Sequence, residues 1–342
     1  MVHVENTLEY SRPSCRWAVD ISGWNPSDEE FEFLCHRLIK IDEGLHCRRF
    51  KFLDDRKRAL VSVLLQRLVG ALVLKKDTTS TTPLDNTAVD PRKIVIGKTK
   101  GRKPYIDTTK EPFVNEDTVN FNYNVSHDGN FVVLAAETHC VCGCDISSTG
   151  SLFRKRGSTR AMEDSISLEE CKKFFTAFEK QLTTKEWERV YGEPGDSVQS
   201  ICERFCTYWS LKEAFAKAIG MGLGYDLGQV EFEVDEHAGM AFARIHPETE
   251  VSPDWCMYIH QLSDGHWVSV ARGPPHAIVD AHGGFKNTFK SPVLPRDVLN
   301  AHVFQNREPT FVQVDAQSLI DTYCRCIDSP DTLREEYLKR FG

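Results

Sequence analysis

The feature that most constrains this sequence is that it nearly repeats itself. The stretch SHDGNFVVLAAE (Ser126–Glu137) aligns without a gap on LSDGHWVSVARG (Leu262–Gly273), 136 positions further on. Asp128-Gly129 falls on Asp264-Gly265, Phe131 on Trp267, Val132 on Val268 and Ala135 on Ala271. Each is a tight-turn dipeptide followed by a β-branched and aromatic run, the pattern of a hairpin turn entering a strand. A second echo precedes each copy: RWAVDIS (Arg16–Ser22) against VCGCDIS (Val141–Ser147), with Asp20-Ile21-Ser22 repeated as Asp145-Ile146-Ser147. Two matches in the same order predict a duplicated α+β unit, with halves at 1–138 and 139–275. Residues 276–342 read as a tail of unassigned role, with one short helix in DTLREEYLKRF.

Each half also carries a helical segment between its strands. Asp54–Leu74 has apolar residues at Leu60, Val61, Val63, Leu64, Leu65, Leu68 and Val69, a broad buried stripe. In RFCTYWSLKEAFAKAIG, Tyr208, Leu211, Phe215 and Ala218 fall on one face, and Glu213 and Lys217 lie one turn apart on another. Lys75–Arg92, rich in Thr, Asp and Pro, reads as a long surface loop.

The balance of charge narrows the partners. A net charge of -8 argues against generic nucleic-acid binding, which needs a basic face. The chain shows no secretory signal at its N-terminus and no apolar run approaching the ~18 residues of a membrane span. Its twelve cysteines are therefore expected as reduced thiols in the cytoplasm. Cys140, Cys142 and Cys144 alternate like one strand face, with spacing too short for a usual zinc knuckle; they and the Cys324/Cys326 pair read as buried packing.

The residues with chemical potential are scattered. Glu213 and Lys217 precede GMGLG (Gly220–Gly224), where the backbone can turn sharply or approach a ligand closely. As an exposed pair they would add only about 0.3–0.5 kcal/mol to a helix. Asp145 ends a buried-looking strand, where a carboxylate is costly unless paired or metal-bound. NVSHDG (Asn124–Gly129) places Ser126, His127 and Asp128 at a strand-to-turn junction. If Asp145 and Glu213 meet, two carboxylates ~5 Å apart repel by ~3 kcal/mol at an effective dielectric of ~20, and a cation between them resolves the conflict. Two hard oxygen ligands suit Mg²⁺, which binds through one or two carboxylates together with substrate phosphates. Lys212 and Lys217 would meet those phosphates, and KTKGRKPYI (Lys98–Ile106) supplies a further run of cations. Taken singly, each motif is equally compatible with a helix surface, a cap or a turn.

In order, GRKPYI, FNYNVSHDGNFVVLAAE, CGCDIS, EW and WSLKEAFAKAIGMGLG resemble the 4′-phosphopantetheinyl transferases of the surfactin-synthetase-activating type, over residues 14–275. The resemblance implies two similar α+β halves related by pseudo-twofold symmetry, with the active site in the cleft between them. It implies transfer of the phosphopantetheine arm of coenzyme A to a serine of acyl or peptidyl carrier protein domains, with Mg²⁺, releasing 3′,5′-ADP. Position by position, it implies Asp145 and Glu213 as metal ligands and Lys217 as the pyrophosphate lysine. It further implies Arg48, Arg49, Lys98, Lys103, Ser126, His127 and Lys212 as coenzyme A contacts. Since the attacking serine must lose a proton, Glu213, directly or through a metal-bound water, is the candidate general base. Two positions depart from the family pattern: Ser147 stands where bacterial-type members often have a third metal carboxylate, and His46 where a lysine or arginine is common. A monomer is expected, because duplication supplies both walls of the cleft. The rival readings are a catalytically weak coenzyme A or carrier-domain binding protein, which Ser147 favours, and a scaffold in which these motifs are only core and caps.

Overall fold

The computed structural model describes residues 14–74, 89–107, 121–153, 166–248, 250–263, 265–278, 308–327 and 330–341. Most of the Lys75–Arg92 stretch, and Asp264 of the second turn, lie outside them. The first part of the chain runs β1 (Ser14–Asp20), α1 (Asp28–Arg37), α2 (Ile41–Arg48), α3 (Leu53–Val73), β2 (Ile96–Lys98), β3 (Pro104–Ile106), β4 (Asn122–Asp128) and β5 (Phe131–Glu137). The second runs β6 (Val141–Ser148), α4 (Thr149–Leu152), α5 (Leu168–Phe175), α6 (Thr184–Tyr191), α7 (Val198–Ile219), β7 (Val230–Asp235), β8 (Met240–Ile245), β9 (Cys256–Ser263) and β10 (His266–Gly273). After these come β11 (Val312–Asp315), α8 (Ala316–Arg325) and α9 (Pro330–Phe341).

The strands form a four-stranded sheet, β11-β1-β5-β4, a five-stranded sheet, β6-β10-β9-β8-β7, and the small β2-β3 hairpin. The chain is α+β, and the sequence repeat appears as repeated connectivity. β1 pairs antiparallel with β5, the second arm of the β4–β5 hairpin; β6 pairs antiparallel with β10, the second arm of β9–β10. The registers differ by two residues: Asp20 faces Phe131, whereas the corresponding Asp145 faces Ser269. An even shift leaves every side chain on its original face. The turn glycines Gly129 and Gly265 both adopt positive φ, 52° and 79°, which only glycine does at little cost. Asn130 and His266, aligned with each other in the repeat, touch: the Asn130 amide donates to His266 Nε2 at 3.3 Å.

Helices cover one face of each sheet, and the two sheets pack on each other. α3 lays Leu60, Leu64 and Leu68 on β4 and β5 in one core. α7 lays Leu211, Phe215 and Ala218 on the second sheet in another. A third core, with Phe131, Val133, Ala135, Cys144, Ile146, Val268 and Val270, lies between the sheets. β5 and β6 are consequently buried along their whole length, which explains their unbroken apolar reading. All twelve cysteines are free and buried, so the HCVCGCD cysteines pack, as their alternation predicted. No described helix is long and apolar enough to cross a membrane.

The end of the chain differs from the expected tail. β11 joins the first sheet in parallel with β1, Trp17 facing Val312 and Asp20 facing Asp315. α8 and α9 place Leu319, Ile320, Tyr323, Leu333 and Tyr337 in the α3 core. Glu308, just ahead of β11, enters a buried ion cluster. Its Oε1 lies 2.5 Å from Arg16 Nε, and its Oε2 lies 3.6 Å from Arg272 Nη1. Glu137 Oε1 completes the cluster, 2.5 Å from Arg16 Nη2 and 3.2 Å from Arg272 Nε. Burial would raise the Glu308 carboxyl, but Arg16, His260 and Arg272 outweigh it and hold it down to about 2.

Candidate active site

Where the two packed sheets approach most closely, their outer strands β4 and β6 lie side by side, and alternate side chains of β4 stitch them together. Asn122 Oδ1 accepts from the Cys142 amide at 2.8 Å, and its Nδ2 donates to the Cys140 carbonyl at 2.8 Å. Asn124 Oδ1 accepts from the Cys144 amide at 3.1 Å, and Asp128 Oδ2 from the Ser148 amide at 2.7 Å. Ser126, between them, donates its hydroxyl to Asp145 Oδ1 at 2.7 Å. The period of two in N-x-N-x-S-x-D is the strand period. Ser126 and His127 are the expected site residues there; Asn122, Asn124 and Asp128 share the polar alternation that is visible in the sequence.

Helix α7 is laid tightly across β6. A Cβ on Gly143 would stand 2.1 Å from the Ala214 carbonyl oxygen and 2.4 Å from the Ala218 amide nitrogen. Two residues beyond Gly143, Asp145 emerges under the last turns of α7. Lys217 Nζ lies 2.5 Å from Asp145 Oδ1 and donates to Ser126 Oγ at 2.9 Å. Glu213, one turn back, lines the same cleft of about 500 Å³ with Ser126, His127, Asp145, Ser147 and Lys217. Val125, Ile146, Leu152, Phe174 and Trp209 give the cleft apolar walls.

The electrostatics of the cleft set two acids, Asp145 and Glu213, against the single ammonium of Lys217. Burial raises the Glu213 carboxyl, the Asp145 charge raises it further, and Lys217 only partly opposes them. Burial works to discharge Lys217, but Asp145 outweighs it and keeps the ammonium charged. His127 stands exposed at the mouth of the cleft, where partial desolvation, with Arg58 and Lys217 adding to it, favours the neutral imidazole. Arg58 had no signal in the sequence. It is fixed by donating to the Gly129 carbonyl at 2.5 Å and to Asp55 at 2.7 Å.

A second group of cations forms on the first half. Arg49 contacts His46 through its guanidinium, and burial together with Arg49, Lys98 and Arg102 depresses the His46 imidazole. Arg49, Lys98 and Arg102 thus all act on the same imidazole; Arg102 sits at φ 67°, a left-handed conformation uncommon outside glycine.

Three of the expected coenzyme A contacts stand elsewhere. Arg48 turns to α1, its Nε within 2.9 Å of both Glu32 carboxylate oxygens. Lys212 is fully buried on the far side of α7. Its Nζ pairs with Glu186 at 2.6 Å and donates to the Leu227 carbonyl at 3.0 Å and to that of Val230. Successive helical residues point about 100° apart, so the neighbour of Glu213 need not share its cleft. Lys103 is 3% exposed and donates to the carbonyls of Cys142 and Lys217, not into the cleft. Asp128 also lines the cleft, and its Oδ2 accepts from the Ser148 amide at 2.7 Å.

Among the described residues no three His, Cys, Asp or Glu side chains form a metal cage. Of the described residues lining the cleft, Asp145 and Glu213 are the expected donors, and Asp128 is a third carboxylate of its lining. The strain on Glu213 beside Asp145 fits a cation between them, because two carboxylates plus water and phosphate oxygens are a usual Mg²⁺ set.

Residues 22–139 match the family model of the 4′-phosphopantetheinyl transferase N-terminal domain, and residues 162–271 that of the 4′-phosphopantetheinyl transferase superfamily. The chain is 32% identical over 265 residues to the L-aminoadipate-semialdehyde dehydrogenase-phosphopantetheinyl transferase of Xenopus laevis, covering 76% of each chain. It is 31% identical over 257 residues to a phosphopantetheinyl transferase of Thraustochytrium, covering 75% of this chain and 77% of that one. The chain belongs to the 4′-phosphopantetheinyl transferase superfamily. The human member named for aminoadipate-semialdehyde dehydrogenase is 30% identical over 272 residues. As a transferase of this superfamily, the chain has its two family-model regions on either side of the β4–β6 seam, where Asp145, Ser126, Glu213 and Lys217 gather.

Proposed function

We propose that this transferase moves the 4′-phosphopantetheine arm of coenzyme A to the serine hydroxyl of an acyl or peptidyl carrier domain. The serine oxygen bonds to the phosphorus next to the pantetheine arm, the pyrophosphate P–O bond breaks, and 3′,5′-ADP departs. The observation that carries the reading is the hydrogen-bonded set Asp145–Ser126–Lys217, with Glu213 beside it, in one apolar-walled cleft. Phosphoryl transfer needs positioning and charge neutralisation more than covalent help. Asp145 and Glu213 would hold Mg²⁺, which would supply the positive charge that a pyrophosphate and its departing oxygen require. Lys217, charged and 2.5 Å from Asp145, turns to the pyrophosphate oxygens. Glu213, directly or through a water, takes the proton of the carrier serine. Neutral His127 hydrogen-bonds phosphate oxygens, and the apolar walls exclude water around the arm. The cations Arg49, Lys98 and Arg102 suit the phosphate at the nucleotide end of the donor.

Both walls of the cleft come from one chain, which supports a monomer whose halves are related by a pseudo-twofold axis near the Asn130–His266 contact. The unpaired thiols support a reducing, cytoplasmic setting. The test is incubation with coenzyme A, Mg²⁺ and several apo carrier domains, with intact mass followed. Gain of the phosphopantetheine mass, abolished by Asp145→Ala, is expected; no gain on any carrier overturns the reading. The two-carboxylate donor set favours one rival, a weakly catalytic binder, which calorimetry would reveal as tight coenzyme A binding without turnover.

A further inference from the structure

A buried ammonium joins three parts of this site that the chain keeps far apart. Lys103 follows the turn Thr99–Arg102. The turn is closed by the Arg102 amide on the Thr99 carbonyl at 2.9 Å and by the Thr99 amide on the Lys103 carbonyl at 3.0 Å. Its Nζ reaches the Cys142 carbonyl of β6, three residues before Asp145. It also donates at 3.2 Å to the Lys217 carbonyl, in the last turn of α7. Carbonyls in a last helical turn lack partners within the helix, and a cation there is favoured by the helix dipole.

The same joint is seated backbone on backbone. A Cβ on Gly101 would lie 1.6 Å from the Gly220 carbonyl oxygen, so only glycine lets the turn press against the end of α7. Arg102 in the turn, and Lys98 just before it at the end of β2, act electrostatically with Arg49 on the His46 imidazole. The joint therefore ties the cation cluster to the strand of Asp145 and to the helix of Glu213 and Lys217.

We propose that Lys103 is a positioning residue. Its ammonium fixes the distance between the cations at the nucleotide end of the donor and the reacting centre, without touching the donor. The proposal rests on the transferase reading, and wild-type turnover in the same assay reports separately on that reading.

The test compares wild type, Lys103→Met, Gly101→Ala and the double variant with coenzyme A and with 3′-dephospho-coenzyme A as donors. Transfer to an apo carrier is measured per folded molecule, with thermal midpoints alongside. Positioning predicts that Lys103→Met lowers kcat at least about tenfold with both donors while KM for coenzyme A stays within about threefold. It also predicts that the double variant is little worse than the poorer single one, because both break one joint. A KM for coenzyme A raised tenfold or more, with that for the dephospho donor unchanged, overturns the proposal in favour of direct phosphate contact. A lowered melting midpoint with unchanged kcat and KM overturns it in favour of a purely structural role. Gly101→Ala, read by the same criteria, decides the matter if Lys103→Met does not fold.

Discussion

Neighbouring lysines and glutamates of one helix do opposite work here. Glu213 faces the cleft and Lys212 the core, and substitution separates their roles. Glu213→Gln is expected to lower kcat by about 10²–10⁴-fold, the usual worth of a general base. It should also stabilise the fold in a pH-dependent way. A carboxyl raised in the folded state contributes stability that is lost as pH rises through its folded value. Glutamine removes that loss, so melts should nearly coincide with wild type near pH 4 and exceed it near pH 8. Lys212→Met leaves Glu186 buried and unpaired, a change that costs about 3–5 kcal/mol. Urea unfolding should show it, while KM for coenzyme A in the folded fraction stays unchanged. The gathering of Asp145, Glu213, Lys217, Ser126 and His127 in one cleft was legible because residue type and motif order carry it. The places of Lys212 and Lys103 were not, because the acceptors that bury them are main-chain carbonyls and one distant glutamate, Glu186, which a motif does not name.

Elements are positioned here as much by missing side chains as by present ones. Gly143 is the reason α7 can rest on β6 closely enough for Lys217 to reach Asp145. Gly143→Ala forces a methyl into the Ala214 and Ala218 backbone. Overpacking of this kind costs about 1–3 kcal/mol, and transfer should fall more steeply than stability, since the Lys217–Asp145 distance opens. Mass-detected transfer and a thermal melt on the same sample check this. The hairpins and long helices were readable from period-two and amphipathic patterns. β11 was not: VQVD is four residues long, only Val314 among them is fully buried, and its pairing partner lies some three hundred positions earlier.

At the scale of the whole molecule, the ion cluster of Arg16, Glu137, Arg272 and Glu308 fastens both sheets and the end of the chain together. Glu308→Gln leaves two buried arginines short of a counter-charge. It is expected to destabilise by several kcal/mol, about 3–5 for a broken buried pair, visible as an earlier unfolding midpoint in urea. Removing residues 308–342 should do more, because it uncovers the apolar faces that α8 and α9 bury. Sedimentation of that variant should show aggregation. The partner of β1 on its outer side is β11, so the fourth strand of the first sheet is synthesised some three hundred residues after the strand it pairs with. At ~5–20 residues per second, roughly 15–60 s pass between the emergence of β1 and that of β11. Through that interval the nascent chain holds an open strand edge and an uncovered apolar flank, so its own N-terminal half needs shelter during synthesis.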